Sequence, residues 1–260
     1  MTSLDHTHKD KRLFDRAPIN GSPLWVGMTY RAGMHLPAMR LLSVNLGRAK
    51  AVPYTDQPEG VTGIDKRPAD GPVRVAAPGA KGFGASGLAG DTVCDTRHHG
   101  GDDQAVYAMA REDMDAWERE LGRELPNGSF GENLTTTGLD LAGALIGEHW
   151  RIGPELLLEV TSGRIPCRTF QGHLGEPRWV KRFTAKGAPG AYFRVLEPGE
   201  IRAGDPVRIV HRPAHEVTVA LQFRAVTTQR ELLPRLLAAG DALHPEALAS
   251  ARKYVAEYGA

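Results

Sequence analysis

Cysteine is nearly absent from this chain: Cys94 and Cys167 are the two among 260 residues. Two thiols without a CxxC pair make neither a disulfide framework nor a zinc knuckle. The usage suits a reducing compartment, so a cytoplasmic setting is expected. A surplus of one charge is also missing. Thirty-two basic and 31 acidic side chains nearly cancel, which leaves no global field to draw nucleic acid. Long apolar runs are lacking, and "LWVGM" near the N-terminus is too short for a signal core or a membrane span. Neither a nucleic-acid nor a membrane partner is expected.

Glycine and proline are plentiful, at 30 and 18 residues, and they favour turns and short strands. "PVRVAAP", "LLLEVTS", "YFRVLEPG", "DPVRIVH" and "EVTVALQF" are β-branched or alternating runs bounded by turn residues. In "MRLLSVNLGRAK", Leu42, Val44 and Leu46 alternate as in a strand. One helix interrupts the strands: Ala110, Met114, Trp117 and Leu121 recur at helical spacing, with Gly122 as its stop. Strands this numerous, without alternating βαβ units, imply a closed or nearly closed β-barrel. Beyond residue 213 the period changes. Leu232, Leu233, Leu236 and Leu237 form a helical stripe ended by "AAGD", and Pro245 opens a second helix carrying Leu248, Ala251 and Val255. The expected class is α+β. Residues 39–212 form a mixed β-barrel, 213–260 a small helical domain with a packing role, and 1–38 a weakly ordered polar extension.

Several motifs carry chemistry. "GFGASG" (Gly82 to Gly87) matches the dinucleotide fingerprint, but "LAGDTVCD" follows it where a phosphate-binding helix must open, so a Rossmann site is excluded. In "RHHGGDDQAVY", adjacent histidines cannot share one face, which rules out a paired-histidine metal motif. Gly100 and Gly101 there permit either a sharp turn or close backbone approach to an anion. In "GSFGENLTTTGLD", Glu132 and Asn133 suit a loop held by side-chain-to-backbone bonds. Lys66 and Arg67 form a basic pair that becomes a phosphate clamp if it faces the same cavity. Cys167 sits in "TSGRIPCRTF". It is either a packed hydrophobe or a thiolate favoured by Arg164 and Arg168 on a backbone stiffened by Pro166. A thiolate is a soft metal ligand, and a single one needs a metal that brings its other ligands. Cys94 has acidic neighbours, Asp91 and Asp95, so its thiolate is less favoured and it reads as a bystander.

The ordered set "TGIDKRPADGPV", "GLAGDTVCDTRHHGGDDQAVY", "FGENL", "GRIPC" and "GAYFRVLEPGEIRAGDPV" resembles the MOSC domain family. The C-terminal helices resemble the small helical domain of its YiiM branch, which includes 6-N-hydroxylaminopurine resistance proteins. The resemblance runs from about residue 39 to 255. It implies binding of the molybdenum cofactor, a pterin dithiolene with a terminal phosphate, with Cys167 as the molybdenum ligand and catalytic residue. Lys66 and Arg194 become candidates for the phosphate and pterin, with His99, Gly100, Gly101, Asn133 and Arg164 completing the cofactor-binding set.

The activity implied is reduction of N-hydroxylated compounds, such as N-hydroxylated purines, to amines. The electrons come from a separate flavoprotein or iron–sulfur partner, because the chain has no flavin motif and no cysteine set for a cluster. Two rival readings use the same residues: a sulfur carrier with a Cys167 persulfide, which would need a donor partner, and a cofactor-binding module without turnover. A chain shortened to residues 39–260 is expected to fold and keep its molybdenum, measured by metal analysis after purification. Aggregation or metal loss would make the extension structural.

Overall fold

The computed structural model describes residues 38–55 and 57–259. The expected N-terminal extension, residues 1–38, lies outside them except for its last residue. The strands are β1 (Arg40–Gly47), β2 (Lys50–Ala51), β3 (Val61–Thr62), β4 (Lys66–Pro68), β5 (Val73–Val75), β6 (Val106–Ala110), β7 (Leu134–Thr137), β8 (His149–Ile152), β9 (Leu156–Ser162), β10 (Ala191–Glu197), β11 (Gly199–Ile201) and β12 (Val207–His211). The α-helices are α1 (Arg111–Leu121), α2 (Arg168–Leu174), α3 (Trp179–Lys186), α4 (Val219–Thr227), α5 (Leu233–Leu236) and α6 (Pro245–Tyr258). No helix among the described residues is long and apolar enough to cross a membrane.

Eight strands form one mixed sheet in the order β12-β8-β9-β10-β6-β7-β1-β4. Its parallel pair is β6 with β7, joined by α1 as the crossover that parallel strands require. A bridge between Arg40 and Pro206 brings the start of β12 back to β1, but no continuous ladder closes the sheet into a barrel. The strand expected from Leu42, Val44 and Leu46 is β1, but those three side chains do not share one buried face. A register shift between Leu41 and Ser43 interrupts the alternation, so Leu41 and Val44 are buried while Leu42 and Leu46 are half-buried.

Helix α1 follows the expected stripe, burying Met114 and Trp117 and ending at Gly122, whose φ of 66° is the left-handed cap that glycine adopts without strain. Two helices went unforeseen: α2, which directly follows Cys167, and α3 are both too short to show a helical period. Trp117, Phe130, Phe170, Trp179 and Phe183 stack into one buried cluster, with Trp117 and Trp179 centroids 4.4 Å apart. Aromatic contacts of this kind tie α3 to both α1 and α2. "EVTVALQF" is also corrected from strand to helix. Thr218 caps α4 by accepting the Leu221 N–H at 3.1 Å, which overrides the β-branched run.

The C-terminal helices share the main apolar cluster with the sheet: Val219, Leu233, Leu236 and Ala251 pack in the same cluster as Leu134, Trp150 and Phe193. Leu236 is fully buried there. Leu236→Ala is expected to cost about 2–5 kcal/mol. Urea unfolding followed by tryptophan fluorescence and by circular dichroism should then give one coincident transition, since sheet and helices bury the same core.

Candidate functional site

A cavity of about 530 Å³ opens where the ends of β4, β9 and β10 meet the loops around residues 92–100 and 163–167. Its floor is built on Asp91, whose side chain is fully buried. One carboxylate oxygen accepts from the Gly47 N–H at 2.7 Å and pairs with the Lys66 ammonium. The other accepts from the Ser86 hydroxyl at 2.6 Å and the Asn133 amide at 2.8 Å. Burial lowers the pKa of Lys66, and Asp91 opposes that shift by supporting the charged form. Asn133 is spent on both ends, since its amide oxygen also accepts the Tyr107 N–H at 3.2 Å. Glu132 is buried behind it and accepts from the Gly128 and Phe130 N–H groups and the Thr135 hydroxyl. These bonds are the loop-holding role expected of Glu132 and Asn133.

Arg164 differs from Lys66. Its guanidinium is buried, donates to the Phe130 carbonyl at 2.5 Å and lies over the Phe170 ring at 4.2 Å and the Tyr107 ring at 5.1 Å. Among the described residues no carboxylate pairs with it, and its Nε has no hydrogen-bond partner. Burial opposes its charge, yet interactions with Tyr192, Tyr107 and Cys167 hold its pKa above the ordinary value. It is a fixed buried cation facing the cavity.

Cys167 lines the same cavity as the residue preceding α2. Of its two flanking arginines, Arg168 is exposed and Arg164 turns inward. Cys94 reaches the wall as well, and burial is the first cause that pushes its thiol pKa up. The two cysteines, far apart in sequence, share one chamber. His99 also lines it. Burial, reinforced by the Arg164 charge, lowers its pKa to about 4, so the ring is neutral at pH 7. Among the described residues no group of three or more His, Cys, Asp or Glu can hold a metal ion. A metal here must arrive with ligands of its own.

The fold thus gathers Lys66, His99, Gly100, Asn133, Arg164 and Cys167 around one space. Gly101 stands behind the wall: its φ is 78°, and a Cβ there would lie 2.6 Å from the Lys81 Cα. Arg194 is a correction. It stands opposite Glu159 in the β9–β10 ladder, and its guanidinium is taken up by Asp103 and Glu159, so it does not line the cavity. Arg67 is likewise exposed and pairs with Asp65 at 2.8 Å. Asp91, Tyr192, Gln222 and His244 were not singled out for this site by sequence. The last two come from the segment assigned to packing, where only the His-Pro-Glu start of α6 offered a signal.

Comparison with known proteins identifies relatives of the chain. The MOSC domain family matches residues 95–208. The uncharacterized protein YflK of Bacillus subtilis is 34% identical over 183 residues, which cover 70% of this chain and 77% of YflK. A protein of Gibberella moniliformis named reductase is 32% identical over 202 residues, covering 76% of this chain but 34% of that longer protein. Among solved structures, YiiM from Geobacillus stearothermophilus matches with a TM-score of 0.66 at 26% identity, covering 83% of this chain and 98% of that one.

The depressed pKa of His99 has a measurable consequence. An unfolded histidine takes up its proton near the ordinary value of 6.5, whereas the folded chain resists until about pH 4. Stability is therefore highest above the unfolded value and falls as pH drops between the two. His99→Gln in the cofactor-free chain is expected to flatten that acid-side loss, read from urea midpoints at pH 7.5 and 4.5. An unchanged loss would place the acid sensitivity elsewhere.

Proposed function

The chain belongs to the MOSC domain family, in its YiiM branch, and from that premise we propose that the cavity holds the molybdenum cofactor and reduces N-hydroxylated compounds to amines. The electrons come from a separate flavoprotein or iron–sulfur protein. The observation that carries this reading is the buried Arg164 guanidinium without a carboxylate partner, set in one chamber with the Cys167 thiol. Lys66 is already matched by Asp91, so Arg164 is the surplus charge. A buried, uncompensated cation is costly, and an anionic ligand relieves that cost.

The residues present fit the group. A pterin dithiolene ending in phosphate is anionic and sulfur-rich, and a chamber of about 530 Å³ is within the range of cofactor sites. Cys167 would hold the metal as its protein ligand. Arg164 and Lys66 would face the anionic parts, while neutral His99 and the backbone at Gly100 would line the wall. Bound there, the cofactor supplies two-electron reduction that side chains cannot perform.

The chain's own contribution is to exclude water, place the substrate and manage protons. Reduction of an N-hydroxyl group to an amine and water consumes two protons with the two electrons. Burial, the first cause, raises the pKa of the Tyr192 phenol, which lines the cavity and keeps its proton at neutral pH. The relative named reductase supports an oxidoreductase role, and the anion-ready cavity supports the cofactor.

Cys167→Ser replaces a soft sulfur ligand by a mostly protonated hydroxyl. It is expected to abolish reduction of N-hydroxylated compounds by a reduced-viologen donor and to lower molybdenum content, with the fold retained. Cys94→Ser should keep most of the activity, because a thiol with a raised pKa is a poor ligand. Full activity in Cys167→Ser would overturn the reading. Cyanide-labile sulfur on Cys167 without molybdenum would indicate a sulfur carrier, and bound cofactor without turnover would indicate a binding module.

A further inference from the structure

The cavity has a second wall that the cofactor-facing residues do not explain. It is built where the end of β9 meets the C-terminal helices. Gln222 of α4 is 3% exposed, and its side-chain oxygen accepts the Gly163 N–H at 2.9 Å. That bond fixes which end of the amide is which, so the NH₂ group is the end left over, and it has no partner among the described residues. His244, at the start of α6, is 6% exposed, and its backbone N–H is anchored to the Thr161 carbonyl at 3.3 Å. The His244 Nδ1 accepts the Glu246 N–H at 3.3 Å, which places the proton of the neutral ring on Nε2. This Nε2–H also has no partner among the described residues. Both side chains line the cavity.

Their anchors, Thr161 and Gly163, are two residues apart, so the two donors flank one short stretch of chain. Between those anchors, the Ser162 hydroxyl is buried without a partner, as is the side-chain oxygen of Gln104, and both residues line the cavity. Tyr192 stands opposite Ser162 in the ladder. A buried polar group left unpaired costs about 1–3 kcal/mol. Such groups are rare and normally find a partner. The two buried unpaired groups of Ser162 and Gln104, together with the cavity-facing donors of Gln222 and His244, make a wall complementary to a bound molecule. The set is rich in uncharged N–H donors: two on Gln222 and one on His244, against the acceptor on Gln104. Its complement is an uncharged group with hydrogen-bond acceptors along one edge, such as the ring nitrogens of a heteroaromatic.

We propose that Gln222 and His244 are substrate-positioning residues that read the acceptor edge of a nitrogen heteroaromatic substrate. The proposal rests on the reductive reading above for the substrate's N-hydroxyl group. Both residues lie outside the stretch matched to the MOSC domain, residues 95–208. The C-terminal segment therefore selects the substrate, while the sheet domain supplies the cofactor-facing wall.

Two variants separate reading from packing. Gln222→Glu keeps the oxygen that the Gly163 N–H needs and replaces the donor by an acceptor. His244→Asn keeps a capping oxygen and withdraws the Nε2–H. With cofactor-loaded full-length protein, kcat/KM is measured for 6-N-hydroxylaminopurine and for N-phenylhydroxylamine, whose ring has no acceptor. The ratio of the two is expected to fall about tenfold in each variant, as for one lost hydrogen bond, at wild-type molybdenum content. Calorimetry with adenine, an unreactive ring bearing the same acceptors, should show affinity weakened by a similar factor. An unchanged ratio in both variants overturns the proposal, as does an unchanged ratio accompanied by loss of metal or of fold, which would assign the residues to structure. If wild-type protein reduces neither compound, the reductive reading fails. Adenine binding then decides separately: weakening by Gln222→Glu supports the recognition role, and affinity unaffected by either variant overturns it.

Discussion

A guanidinium buried without a carboxylate is the constraint around which this molecule is arranged. Arg164 keeps its charge on two ring faces and one carbonyl, an arrangement that tolerates a cation without neutralising it. The neighbouring cation, Lys66, is treated in the opposite way. Asp91 matches it fully and is itself tied to Gly47, Ser86 and Asn133. One matched and one unmatched cation in the same chamber make a site that is stable and still attracts an anion.

The supporting structure serves to hold Arg164 in place. Its segment leaves β9 at Ser162, runs through Pro166 and enters α2 immediately after Cys167. Phe170 of α2 is at once the ring under Arg164 and a member of the aromatic cluster with Trp117, Trp179 and Phe183. Packing α2 against α3, which in turn packs on α1, therefore positions the guanidinium and the thiol together. Interiors this densely packed leave little room for either to move. Glu132 does the equivalent work on the other side, drawing the loop at 128–130 inward so that the Phe130 carbonyl meets Arg164.

The C-terminal helices extend the same core across the chamber. Because Val219, Leu233, Leu236 and Ala251 bury their side chains in the cluster of the main sheet, the polar ends of α4 and α6 are delivered to the cavity at fixed positions. The ion pair of Lys81 with Glu246, at 2.6 Å, adds a tie between the glycine-rich loop and α6 at the cavity wall. Gln222 within α4 and His244 at the start of α6 thus line the cavity on helices whose apolar residues pack in the core.

Local chemistry made much of this legible in the sequence. Alternation and turn residues marked β1, β5, β9, β10 and β12, helical spacing and Gly122 marked α1, and Pro245 marked the start of α6. The missing helix after "GFGASG" excluded a dinucleotide site, and the loop there does lead to no helix. The proline-framed Cys167, the "HHGG" loop and Lys66 pointed to one chamber, since each signal resides in a few adjacent residues. Short-range reasoning failed where a distant partner decides. Thr218 turned a β-branched run into a helix, and the distant carboxylates Asp103 and Glu159 took up Arg194. Which cations are matched, which cysteines meet, and where Gln222 and His244 point are properties of contacts between segments. Residue types and local periods are written in the chain itself. The pairing of buried charges is set only by the tertiary fold, because it depends on which groups are brought out of water together.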